Sequence, residues 1–245
     1  MTRSIEMLEK VAEALGPLLD EVVIVGGTVP ALLVTDPAAP PARPTKDVDL
    51  VVDTRTYAQH ASFEERLRRQ GFQIASPPIS RYEYHGVLVD VMTTSKTMGF
   101  SDEWYPEAFA TAESMTLPSG RIVKIVRSPL FLATKINAWR ERGKDDYLAQ
   151  DIEDIIAIID GRPELIDDIK QANPKLRAFL AEAFKLLLTD QRFLDVLPGH
   201  IGGGTVVATA RADRAIDLMK SITTLGANHH FNPSQSRIGG GGAIV

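Results

Sequence analysis

Arg43-Pro-Thr-Lys-Asp-Val-Asp-Leu-Val-Val52 closes a proline-rich loop and opens a strand. From Asp47 the stretch alternates and then runs apolar, the pattern of a strand set against a core. Residues i and i+2 of a strand share a face. Asp47 and Asp49 therefore project side by side, while Val48 and Leu50 point the other way. Two adjacent like charges are costly without a cation. Paired carboxylates of this kind are hard oxygen ligands for Mg²⁺, the ion that phosphoryl-type transfer uses to neutralise developing charge. An isolated Asp-x-Asp is more often a plain strand end, one carboxylate capping a turn and the other solvated, so the flanking sequence decides.

Upstream, Glu21-Val-Val-Ile-Val25 is short and β-branched, and Gly26-Gly27 stops it, which predicts a buried strand. Thr28 to Val34 reads as the opening of a short helix, with Thr28 as N-cap and Pro30 in the first turn. Free N–H groups at such a glycine turn can take a phosphate. Residues 36 to 45 hold too much proline for regular structure and read as a stiff loop. Ile5, Leu8, Val11, Ala12, Leu15 and Leu19 recur at helical spacing before the first strand. Downstream come a helix from about Tyr57 to Gln70 and a strand or hairpin from Arg81 to Met92. The expectation is an α/β (α+β) core, with helices flanking a small mixed sheet. From Pro129 the periodicity is helical almost throughout, over 129–142, 146–160, 163–171, 174–188 and roughly 205–222. The expected organisation is a core over 1–128, a helical domain over 129–225 that completes the active site, and a flexible tail over 226–245.

Composition narrows the classes. With 44% hydrophobic and 24% charged residues among 245, the chain is ordinary globular material. No apolar run approaches the roughly 20 residues of a membrane helix, and no signal pattern opens the chain, so a cytoplasmic location without a membrane partner is expected. The absence of cysteine leaves carboxylates and histidines as the only strong metal ligands. A net charge of -5 argues against a broadly basic surface for nucleic acid and leaves room for a local basic cleft.

Several charges stand out of place. Asp90 is the one charge in Gly86-Val-Leu-Val-Asp-Val-Met92, where a purely structural role explains it poorly. Asp53 shares the Asp47/Asp49 face but lies further along. Lys135 falls within an apolar helix face between Phe131 and Trp139, either snorkelling to water or aimed as a site cation. Asp151 lies at the edge of the stripe formed by Ile152, Ile155, Ile156 and Ile159, where helix capping is the competing explanation. His85 and the His229-His230 pair have no partners at metal-ligand spacing.

Gly26-Gly27-Thr28, followed by Arg43-x-Thr45-x-Asp47-x-Asp49, resembles the first motif of the DNA polymerase β-like nucleotidyltransferases over residues 20–160. It is most similar to the bacterial group that includes the AbiEii-type and MenT-type toxins. The resemblance implies a nucleotidyltransferase core in which Asp47, Asp49 and Asp90 hold Mg²⁺ or Mn²⁺, with Asp90 also helping to activate a hydroxyl. It implies an NTP substrate such as ATP, whose phosphates meet Gly26, Gly27 and Thr28, and nucleotide contacts from Arg43, Thr45, Arg140 and Asp154. A lysine-bearing helix and an Asp-x-x-Asp motif of that group map onto Lys135 and onto Asp151 and Asp154, with Asp151 ranked first. The implied reaction moves an NMP to a hydroxyl of tRNA, a protein or a small molecule, with a toxin role implying an antitoxin partner. An inactive regulatory or antitoxin-type binding protein is the alternative.

Overall fold

The computed structural model describes residues 2–75, 80–143, 146–202 and 205–227. The expected tail from 228 onward, with His229 and His230, lies outside them.

The chain starts with helix α1 (Arg3–Leu15), capped by the Thr2 hydroxyl, which accepts the Ile5 N–H. Its periodic residues Ile5, Leu8, Val11 and Leu15 are buried as expected. The helix stops at Gly16, whose φ of 51° a side chain would resist, and a 3₁₀ turn over Gly16–Glu21 leads into strand β1 (Val22–Val25). Every residue of β1 is buried, which accounts for its unbroken apolar run. A glycine turn and the one-turn helix α2 (Pro30–Leu33) follow, then the proline-rich loop and strand β2 (Asp47–Val52). Helix α3 (Tyr57–Arg69) opens with a Thr56/Gln59 capping box.

Next come the short strand β3 (Gln73–Ile74), β4 (Arg81–Tyr84) and β5 (Val87–Thr93). A two-residue turn joins β4 to β5, with His85 and Gly86 both at positive φ, 47° and 79°. That is the turn geometry whose twist suits a hairpin. Helix α4 (Tyr105–Ala110) and the strands β6 (Glu113–Thr116) and β7 (Ile122–Ile125) complete the sheet. Its order is β3-β4-β5-β2-β1-β7-β6. β2 runs antiparallel to β1 and parallel to β5, so the sheet is mixed and its centre is β5-β2-β1.

The helical half comprises α5 (Ser128–Ala138), α6 (Gln150–Gly161), α7 (Leu165–Gln171), α8 (Pro174–Thr189), α9 (Gln191–Ile201) and α10 (Thr205–Ala227). α5 is buried almost all round and ends in a π turn over Trp139–Gly143, where Gly143 packs on the Trp139 indole. One continuous cluster of buried side chains runs from Met7 to Ile222, so both halves share a core. No described helix is long and apolar enough to cross a membrane.

The proline-rich loop is tied down at both sides. Thr35 and Asp36 donate their N–H groups to the Gly161 carbonyl at the end of α6, at 2.9 and 3.0 Å. Arg211 of α10 reaches in from the other side. Its guanidinium meets Asp160 at 2.8 and 2.9 Å, Asp36 at 3.2 Å and the Ala38 carbonyl at 3.1 Å. Arg211 and Asp160 are almost fully buried, so removing the guanidinium leaves an uncompensated carboxylate. Arg211→Ala is expected to destabilise the fold by about 3 kcal/mol or more in denaturant unfolding. A loss within experimental error would show that the clamp is dispensable.

Candidate active site

Parallel pairing of β2 with β5 places Asp49 directly beside Asp90, and Asp47 lies two residues back on the same face. One oxygen from each of Asp47, Asp49 and Asp90 falls within 4.8 Å of the other two. Val48 and Leu50 point into the core, fully buried. Three carboxylates with neither sulfur nor imidazole form a hard-oxygen donor set, which fits Mg²⁺ or Mn²⁺.

The glycine turn serves this cluster first. Val25 pairs with Asp49 across β1 and β2, so the chain leaves β1 immediately beside that carboxylate. A Cβ at Gly26 would lie 1.8 Å from Asp49 Oδ2, and the residue sits at φ 67°. Gly27 donates its N–H to Asp49 Oδ2 at 3.4 Å, and a Cβ there would meet Thr45 Oγ1 at 2.9 Å. The Thr45 hydroxyl in turn donates to Asp47 Oδ1 at 2.9 Å. Thr28 does not act as an N-cap, because α2 begins after Val29 with no side-chain cap. Its hydroxyl is wholly buried and finds no hydrogen-bond partner among the described residues. Thr28 is not among the residues that wall the cleft in front of Asp49.

Burial first, and the neighbouring Asp47 charge second, push the Asp49 carboxyl up to about 7 from its ordinary 3.8. Asp90 is answered by Arg81, whose Nε and Nη2 donate to its two oxygens at 2.7 Å each. Nη2 also lies 3.5 Å from Asp47 Oδ2.

A second charged group adjoins the first. Lys135 on α5 is buried, and its ammonium lies 2.6 Å from Asp154 and 3.1 Å from Asp151. Arg43, from the proline-rich loop, grips both Asp154 oxygens at 2.8 and 2.9 Å. Arg142, carried by the π turn, grips Asp151 at 3.0 and 3.1 Å. Burial alone would lower the Lys135 pKa, but Asp154 and Asp151 outweigh it and hold the amine charged. Lys135 is thus neither snorkelling nor a free cation. Asp151 is not spent on capping α6, whose N-cap Ala149 makes no side-chain bond. Asp154 is the more deeply buried of the two acids and joins two cations, so it ranks at least with Asp151.

Asp49, Asp90 and Lys135 share a cleft of about 390 Å³, walled also by Gly26, Tyr105 and Arg142 among others. Arg140 lies elsewhere, with its guanidinium 5.3 Å over the Phe179 ring, beside a separate pocket against α8. Of the two arginines at this helix end, either of which the sequence left open for the site, Arg142 reaches the cleft and Arg140 does not, because the π turn redirects the chain after Trp139. Asp53 is bonded to Thr94 and Arg55, away from the cleft. Sequence reasoning missed Arg81 and Tyr105. For Arg81 a signal existed, since a two-residue turn at His85-Gly86 sets Arg81 opposite Asp90.

No family model and no curated protein matches the sequence. Among solved structures, the chain is similar to an antigenic nucleotidyltransferase-like protein from Paracoccidioides brasiliensis, with a TM-score of 0.51 and 22% identity over 78% of this chain and 90% of that one. The fold is nucleotidyltransferase-like. Identity at this level speaks to the fold alone, so the chemistry rests on the geometry above.

Two outcomes follow. Gly26→Ala drives a methyl into Asp49 and should lower any activity of the site by about a hundredfold, the cost of displacing a reacting group by an ångström. Full activity in that variant would mean that the Asp49 position is not critical. The folded pKa of Asp49 lies above its unfolded value, so the metal-free fold gains stability as pH falls below about 7 and loses it as pH rises through that value. Asp49→Asn should flatten this slope between about pH 4 and pH 7, where the folded protein holds the Asp49 proton and the unfolded chain does not, and should raise the Tm above pH 7 on the order of 2–4 °C per kcal/mol recovered. Parallel Tm profiles for the wild type and this variant would refute the assignment.

Proposed function

We propose that the chain is a metal-dependent nucleotidyltransferase, which moves a nucleoside monophosphate from an NTP to a hydroxyl group and releases pyrophosphate. The observation that carries this is the in-register placement of Asp49 beside Asp90, with Asp47 adjacent, on a nucleotidyltransferase-like fold. Asp47, Asp49 and Asp90 would hold Mg²⁺ or Mn²⁺. When bound, such an ion supplies charge neutralisation and orientation to the phosphate oxygens.

The protein groups have distinct tasks. The acceptor oxygen bonds to the α-phosphorus, the bridging P–O bond to the β-phosphate breaks, and that electron pair departs on pyrophosphate. Asp90, at the cleft wall, takes the hydroxyl proton. Gly26 offers backbone at the cleft edge, while Gly27 and Thr45 hold Asp49 and Asp47 in place. Lys135, Arg43 and Arg142 outnumber Asp151 and Asp154 three to two among the described residues. Lys135 and Arg142 stand on the cleft wall and set positive charge opposite the carboxylates, where a polyphosphate would enter. Arg43, Asp151 and Asp154 serve by fixing Lys135, rather than by touching the nucleotide.

The Arg43-x-Thr45-x-Asp47-x-Asp49 stretch supports the toxin-like group as the nearest functional setting, with an antitoxin as partner and tRNA, protein or a small molecule as acceptor. Convergence of all three carboxylates within 4.8 Å of one another weighs against an inactive binding protein. The test is incubation with Mg²⁺, each α-labelled NTP and a cell extract. One macromolecule or small-molecule pool should take up label, and Asp49→Ala should reduce uptake by about a hundredfold or more. Equal labelling by Asp49→Ala, or none by the wild type with any NTP, would sink the proposal.

A further inference from the structure

The three carboxylates of the cluster are not equally available. Asp49 accepts a long bond from the Gly27 N–H, and Asp47 accepts one from the Thr45 hydroxyl. Both oxygens of Asp90, by contrast, are held by one guanidinium, at 2.7 Å each. The hairpin makes this contact inevitable. Arg81 and Asp90 are direct cross-strand partners, so their side chains emerge on the same face. The third contact of Arg81, at 3.5 Å from Asp47, sets its positive charge inside the acidic cluster. Arg81 nonetheless keeps 29% of its side-chain exposure, so its guanidinium is reachable from solvent.

A bidentate guanidinium occupies the in-plane lone pairs of both Asp90 oxygens and offsets its charge, so Asp90 is a weaker ligand for a divalent ion while that pair is intact. A guanidinium fork matches phosphate as well as it matches carboxylate. We propose that Arg81 is a positioning residue that keeps Asp90 closed to divalent ions until a polyphosphate enters the cleft and takes over the guanidinium. This rests on the nucleotidyltransferase reading and adds an order of events to it. Asp47 and Asp49 carry no bidentate partner in the resting protein, and Asp90 is released when the substrate arrives. Full loading of the acidic cluster is thereby coupled to the presence of the nucleotide.

The inference predicts opposite effects on two ligands. In the full-length protein without nucleotide, Mn²⁺ titrated by calorimetry should bind Arg81→Ala about tenfold more tightly than wild type, since the competing bidentate pair is gone. Adding Asp90→Asn to Arg81→Ala should cancel that gain, whereas Asp90→Asn alone should leave the nucleotide-free affinity of the wild type almost unchanged. In EDTA, binding of α,β-methylene-ATP should instead weaken about tenfold in Arg81→Ala, because the phosphate loses its guanidinium. A residue that only supports the fold would weaken both ligands together. Arg81→Lys retains the charge without the fork and should show the same two changes at smaller size, which keeps the test available should Arg81→Ala not fold. Unchanged or weaker Mn²⁺ binding in both Arg81 variants overturns the inference, as does a strong effect of Asp90→Asn on the nucleotide-free wild type. If Asp49→Ala still abolishes labelling in that case, the nucleotidyltransferase reading survives on its own. If neither wild type nor variants bind Mn²⁺, both fall.

Discussion

Mutual repulsion among Asp47, Asp49 and Asp90 is the constraint around which this fold is arranged. Three carboxylates within 4.8 Å of one another cannot all ionise cheaply in a half-buried setting. The protein answers each one differently. Asp90 receives a guanidinium, Asp47 a hydroxyl bond, and Asp49 only a distant backbone N–H together with the field of Lys135. Burial, with the Asp47 charge beside it, accordingly holds the Asp49 carboxyl well above the ordinary carboxylate range. The glycine turn belongs to the same solution, since no side chain fits between β1 and the Asp49 carboxylate. A motif that looks like a phosphate cradle is, in this chain, first of all a clearance.

An ion network, buried except at Arg142, links this cluster to the helical half. Arg43 comes from the loop before β2, Lys135 from α5, Asp151 and Asp154 from α6, and Arg142 from the π turn between those helices. Buried pairs of this kind contribute little net stability, because desolvation offsets most of the attraction. Breaking one is nevertheless costly, so the network fixes how the elements meet more than how firmly they hold. Arg43 and Thr45 lie two residues apart in one loop, and one positions Asp154 while the other positions Asp47. The stiffness of the proline-rich loop, and its clamping by Arg211, are therefore transmitted to both ends of the site.

The fold was legible where periodicity was strong. β1, β2 and the helices from α5 to α8 follow from apolar spacing, because each buries a continuous face. β6, β7 and α9 were not read. The strands are short, with alternate residues exposed, and α9 carries Pro198 inside it, which breaks the expected pattern. The helical reading of 129–142 ran past Ala138 because composition alone does not distinguish a π turn from a further α turn.

The carboxylates themselves were legible, since a charge in an apolar strand or on a core face is a local anomaly. Their partners were less so, because pairing is set by register and by turns rather than by any single residue. Arg140 and Arg142 are both basic and near the end of a helix, and only the unwinding at Trp139 sends Arg142 toward Asp151 and leaves Arg140 over Phe179. Lys135 was visible as an intruder, yet its commitment to two buried acids required the approach of α6. Because those acids already hold it, Lys135 acts on the cleft through its field. Direct contact with a phosphate would leave Asp151 and Asp154 to Arg142 and Arg43. The two arginines are in place to keep both acids paired, so that exchange would strand no buried charge.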